Sequence, residues 1–119
     1  MVNTKLFPLA LCALLATLIP TSIRASLIDA DFLAQSRAAM SKMMNAMEVT
    51  PSGDVDADFV SMMVPHHQGA IDMAEAELRY GRNIALRRIA QEIVVTQRDE
   101  IVAMRRALVI QTSGAAGHQ

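Results

Sequence analysis

Between Leu86 and Leu108 the chain sets Leu86, Ile89, Ala90, Ile93, Gln97, Ile101, Met104 and Leu108 at alternating three- and four-residue steps, the spacing of one face of an α-helix. A stripe of this kind has to be covered by another element, and that requirement restricts the folds open to the chain more than any other feature. No stretch alternates apolar and polar residues at strand period, and no segment recurs at a solenoid period. The expected fold class is therefore all-α, a small antiparallel helical bundle.

Two further helices precede the stripe. The first is expected from about Asp29 to Glu48, with Asp29 and Asp31 at the positive end of its dipole, and Thr50-Pro51-Ser52-Gly53 ends it. The second opens near Asp54 to Asp58, whose carboxylates can cap free backbone N–H groups, and closes at Tyr80-Gly81. Asn83 caps the third. Pro65 falls inside the second helix and removes the hydrogen bond to the carbonyl of Ser61. Val64 would be a poor cap for a new helix, so a single helix kinked at Pro65 is expected.

The first residues read as an address. Lys5 precedes an uncharged run from Leu6 to Ile19, which closes on Pro20, Ser22 and Ala25. That is the pattern of a secretory signal peptide over residues 1–25, too short for a spanning helix of roughly 20 apolar residues. Residues 26–112 are then the helical domain and 113–119 a mobile tail. Export to the periplasm or the medium follows, with no membrane association after signal removal. Cys12, the only cysteine, would leave with the signal, so no disulfide framework is expected. Loss of Lys5 and Arg24 lowers Lys+Arg from eleven to nine against twelve Asp+Glu, and the net charge moves from -1 to -3. A mildly acidic body with Phe32, Phe59 and Tyr80 as its aromatics is not built to bind nucleic acid. The pairs Arg87-Arg88 and Arg105-Arg106 read as solvated helix faces.

Chemistry concentrates in Met62-Met63-Val64-Pro65-His66-His67-Gln68. Thioether sulfur and neutral imidazole are the ligands that select Cu(I), whereas carboxylates and carbonyls select Mg, Ca or Mn. At about 100° per residue, and relative to Met63, His66 lies at about -60°, His67 at about +40°, Met73 at about -80° and Met62 at about -100°. Phe59, Ala70, Ala74 and Leu78 fall in the same arc, so this face is expected to be buried in the bundle. On the first helix Met40, Met43, Met44 and Met47 share an arc of about 100°. An antiparallel hairpin would bring Met43, Met44 and Met47 within reach of Met62, Met63 and His66.

Methionine at helical spacing is usually core filler. The adjacent histidines weigh the other way, since a buried imidazole needs a partner on each nitrogen and a metal can be one. Other chemistries find no residues. Asp54-x-Asp56-x-Asp58 opens like a calcium loop but meets Phe59 and Pro65 where Gly and Glu are required. Neither Glu75 nor Glu77 begins a Glu-x-x-His pair, and there is no His-Glu-x-x-His. No serine stands in a recognisable nucleophile setting. Asp72 and Glu75 read as helix charges or as groups supporting a ligand.

The segment from Gly53 to Ala74, with its Met-x-Pro-His-His-Gln core, together with Leu78-Arg79-Tyr80-Gly81 and the pattern Arg88, Ala90, Glu92-Ile93, Gln97, Glu100-Ile101 and Met104, resembles the CopM-type copper-binding metallochaperones, a family long catalogued as a domain of unknown function. The resemblance implies a ferritin-like helical domain in the periplasm that binds copper, Cu(I) above all and Ag(I) in some members. It also implies a metal-donor set of Met63, His66, His67, Met73 and Met104, joined by Met43 and Met47 from the first helix. Met44 stands where relatives commonly have histidine, Asn83-Ile84-Ala85 where they have Asp-Pro-Glu, and Ala107 where they have tryptophan. The expected function is copper binding as chaperone or buffer, not an enzyme. A copper-donating or copper-accepting protein and a second copy of the chain are the expected partners. A helical interaction module with a methionine-rich core, and a ferritin-like metal-dependent oxidase, are the alternatives.

Overall fold

The computed structural model describes residues 20–116. Within them every regular element is helical: α1 Thr21–Met47, α2 Val55–Tyr80 and α3 Ile84–Ala116. The helices pack antiparallel, α1 on α2 and α2 on α3, which is the expected fold class. The chain divides into two compact units, residues 1–31 and 32–119, and the interhelical packing described below lies in the second. No helix among the described residues is long and apolar enough to cross a membrane.

The helix ends follow from local chemistry. Asp54 Oδ1 accepts from the N–H groups of Asp56 and Ala57 at 2.9 and 3.2 Å and so caps α2. Asp58 reaches back to the N–H of Ser52 at 3.0 Å, and Gly53, at φ +90°, takes the left-handed conformation that lets the chain reverse between them. Asn83 Oδ1 does the same for α3, accepting from Ala85 and Leu86 at 2.9 and 3.2 Å. Arg87, read from sequence as a solvated charge, instead donates to the carbonyls of Leu78 and Gly81 and ties down the last turn of α2.

Two boundaries differ from expectation. Helix α1 opens at Thr21, well before Asp29, because Pro20 stands just ahead of the first turn, where its fixed φ and missing N–H favour a helix start. The expected signal peptide lies mostly in residues 1–19, outside the described residues, and its remainder is the first turn of α1. Helix α3 runs through Ser113 to Ala116, so the expected mobile tail is helical in its first half; His118 lies outside the described residues. Helix α2 continues unbroken through Pro65.

The seam between α1 and α2 is made of small residues. Ser36 and Ala39 are buried on α1, and Gly69 and Ala76, two turns apart on one face of α2, are buried opposite. At its rim Arg79 donates to Gln35 at 3.1 Å and Lys42 meets Asp72 at 3.4 Å. The seam between α2 and α3 is built from larger side chains. Ile71, Ala74, Ala90, Val94 and Ile101 form the core, and Val64, Leu78 and Met104 pack against it. Ile71 is 1% exposed, and burying such a side chain stabilises by about 1.5–3 kcal/mol.

The covered part of the α3 stripe is its middle. Leu86, Ile89 and Ile93 remain 52%, 51% and 36% exposed and, with Ala70, Met73, Ala74 and Glu77, line an open apolar groove of about 390 Å³.

Candidate metal centre

Register between α2 and α3 is fixed by His67 and Glu100, whose Nε2 and Oε2 lie 2.8 Å apart. One turn before His67 on α2 is Met63, and one turn after Glu100 on α3 is Met104. Antiparallel pairing therefore puts the two methionines level with each other, one turn from the histidine. Both are half-buried. Phe59, Val60, Met104, Ala107 and Leu108 continue the same seam as a cleft of about 290 Å³.

His67 is buried, and both of its ring nitrogens have protein partners. Nδ1 lies 2.9 Å from the carbonyl oxygen of Met63, one turn back on its own helix. A carbonyl only accepts, so Nδ1 carries hydrogen and donates; this fixes the ring's orientation and turns Nε2 toward α3. There one hydrogen lies between Nε2 and the Glu100 carboxyl group. Gln97 donates to the same oxygen at 3.3 Å. The place that a metal can take as second partner of a buried histidine is filled by Glu100.

The expected burial of the whole methionine–histidine face is corrected. His67 and Ala74 are buried, and Met63, Ala70 and Leu78 are half-buried. His66 is exposed, as are Phe59, Met62 and Met73 at 51%, 37% and 38%. The covered stripe of α2 toward α3 is Val64, His67, Ile71, Ala74 and Leu78, rotated from the predicted arc because α1 occupies the Gly69 side. His66 nonetheless keeps its ring against that of His67, with centroids 5.9 Å apart and planes at 64°.

First-helix methionines lie elsewhere. A Cβ built on Gly69 would come within 2.7 Å of the Met43 sulfur, so this thioether fills the space above the glycine in the α1/α2 seam. On the helical wheel Gly69 lies about 120° from Met63 and about 160° from His67. Met43 is therefore not brought to the histidine seam. Met47, one turn on, is half-buried, while Met40 and Met44 are 47% and 59% exposed. Met73 lines the open groove beside Leu86, Ile89 and Ile93. The structure thus sets Met63, His67 and Met104 along α2/α3, leaves His66 exposed against the His67 ring, sets Met73 two turns further along α2, and leaves Met43 apart.

Among the described residues, no three side chains of histidine, cysteine, aspartate and glutamate converge. An ion held on the His67 seam would accordingly take sulfur from methionine, which is the soft donor set for Cu(I). Asp72 is engaged by Lys42 and Gln68, and Glu75 by Arg98 at 2.9 Å, so neither supports the histidines. Glu100 is a site residue that the motif around His67 does not include. The clue was present: Gln97, Glu100 and Met104 follow the same three- and four-residue steps as the apolar stripe, which puts an acid in line with core positions.

The family model of DUF305, a domain of unknown function, matches residues 25–108. The chain belongs to the DUF305 family. The matched span of this DUF305 domain contains every residue of the α2/α3 seam described above, as well as Met43 and Met47. No curated protein matches the chain in sequence.

Proposed function

We propose that this DUF305 domain reversibly binds Cu(I), or Ag(I) in its place, in an exported compartment, as a copper buffer or metallochaperone without substrate turnover. One observation carries the reading. The Nδ1–H of His67 is anchored on the Met63 carbonyl, so its other nitrogen faces α3 in a seam where two half-buried methionines, Met63 and Met104, stand one helical turn away in register. An imidazole oriented by a backbone carbonyl through one nitrogen is how histidine ligands are commonly held, and here the other nitrogen is held only by the half-exposed side chain of Glu100. The exposed ring of His66 beside it gives a second imidazole at the surface, suited to taking an ion from, or passing it to, a partner protein.

The reading is tested by titrating the protein with Cu(I) or Ag(I) in competition with a chromophoric chelator. The control is the variant with Met63→Leu, His66→Leu and His67→Leu together. Stoichiometric binding by the protein and its loss in the variant are expected; no binding, or equal binding by both, removes the reading. Oxygen consumption by the copper-loaded protein tests the oxidase alternative, and none above that of the triple variant is expected.

The open groove of Met73, Leu86, Ile89 and Ile93 favours a second reading, an interaction module, since contiguous exposed apolar surface marks contact sites. Metal-independent association that survives the triple substitution would favour it.

A further inference from the structure

We infer that Glu100 is a displaceable guard on His67: it holds the Nε2 atom that a soft ion requires and leaves when the ion arrives. The inference rests on the copper reading above and specifies how that site is occupied in the metal-free protein.

The two partners of this hydrogen bond differ in freedom. The His67 side chain is 11% exposed and is fastened at its other nitrogen to the Met63 carbonyl, whereas the Glu100 side chain is 50% exposed. Breaking the contact costs Glu100 little, because its carboxylate swings into water and keeps Gln97 as a neighbour on the same helix. His67 has no comparable alternative; moving it would break a second bond and open the core beside Ile71. Whatever approaches Nε2 therefore displaces the glutamate, the hydrogen between the two groups passes to water, and the imidazole stays in place. A carboxylate is also a hard donor, so an ion chosen by two thioethers and an imidazole gains little by retaining it.

A protein whose competent state is only a fraction of the population binds with its affinity reduced by that fraction. The metal-free protein with Glu100 on His67 is the incompetent state, and removal of the carboxylate makes the site permanently open. For a hydrogen bond with one half-exposed partner, the expected gain is about tenfold in affinity.

The experiment uses the full chain with Ag(I) as probe, against a chromophoric competitor, in wild type, Glu100→Ala and Glu100→Gln. Glu100→Ala is expected to bind silver about tenfold more tightly, and Glu100→Gln, which keeps a neutral hydrogen bond, less than tenfold more tightly. In metal-free protein, imidazole nitrogen NMR is expected to show the His67 Nε2 bonded in wild type and released in Glu100→Ala while Nδ1–H stays bonded. A residue that only stabilises the fold would not produce that pattern. Circular dichroism confirms that the variants fold, and Glu100→Gln carries the comparison alone if Glu100→Ala does not. Equal affinities overturn the guard. Weaker binding in both variants also overturns it, and makes Glu100 a ligand. Absence of silver binding in all three proteins, with the NMR change still present, removes the copper reading itself.

Discussion

The two seams of α2 use methionine in opposite ways. Toward α1, the Met43 thioether lies on Gly69 among Ala39, Ala46 and Pro65, and the space left there is only about 50 Å³. Toward α3, Met63 and Met104 flank a histidine held between a carbonyl and a carboxylate, beside clefts several times larger. The first is a filled seam, where a flexible side chain takes up irregular space. The second has polar groups committed to each other and room around them. Methionine spacing is helical in both, so periodicity alone does not separate packing sulfur from donor sulfur; what lies across the seam does.

Removing mass from the core of the second seam should have the largest effect. Ile71→Ala is expected to destabilise the fold by about 2–4 kcal/mol, read from the midpoint of urea unfolding, because Ile71 is the largest fully buried side chain among the described residues. A loss below about 1 kcal/mol would mean that α2 and α3 are held chiefly by something other than this core. The contrast in sulfur is next. Met63→Leu should weaken Ag(I) binding about tenfold or more, while Met43→Leu, with its near-equal volume, should change it less than twofold, both measured by chelator competition. Equal losses would erase the distinction between the seams and return the first-helix methionines to the donor set.

Much of this architecture was legible in the sequence. Helical period, the capping residues Asp54 and Asn83 and the stop at Tyr80-Gly81 are local signals, and the structure repeats them. Asp29 and Asp31 look like a first turn, yet α1 opens at Thr21 directly after Pro20. Which face of α2 meets which neighbour was not legible. Counting methionine as apolar swung the predicted face toward Met62 and Met73, whereas the close approach permitted by Gly69 and Ala76 draws α1 to another side. The Glu100 partnership spans 33 residues and depends on interhelical register, which no local pattern states.

Adding mass should separate the seams with opposite signs. At Gly69 a new methyl group would lie 2.7 to 2.9 Å from the Sδ, Cγ and Cβ atoms of Met43. The sulfur can swing away but the Cβ cannot, so α1 must shift. Overpacking of about 1–3 kcal/mol then exceeds the gain of about 1 kcal/mol from replacing a mid-helix glycine. Gly69→Ala is expected to destabilise by about 1 kcal/mol in urea unfolding, and Met43→Ala in the same chain should recover part of that loss. Stabilisation by Gly69→Ala alone would show that this seam is not filled.

The reverse is expected at Ala107. This residue lies exposed on α3 at the wall of the cleft formed with Phe59, Val60, Met104 and Leu108. An indole placed there would cover part of Phe59, which is 51% exposed, and lie against the Met104 sulfur, a contact worth about 0.3–1.5 kcal/mol. Its N–H can stay at the open rim in water, so no polar group is buried without a partner. Against this stands a helix-propensity cost of about half a kcal/mol for replacing alanine. Ala107→Trp is therefore expected to raise stability by about 0.5 kcal/mol, seen as a later urea midpoint at unchanged slope. A loss of stability instead would mean that the cleft closes in solution, and that the second seam is as full as the first.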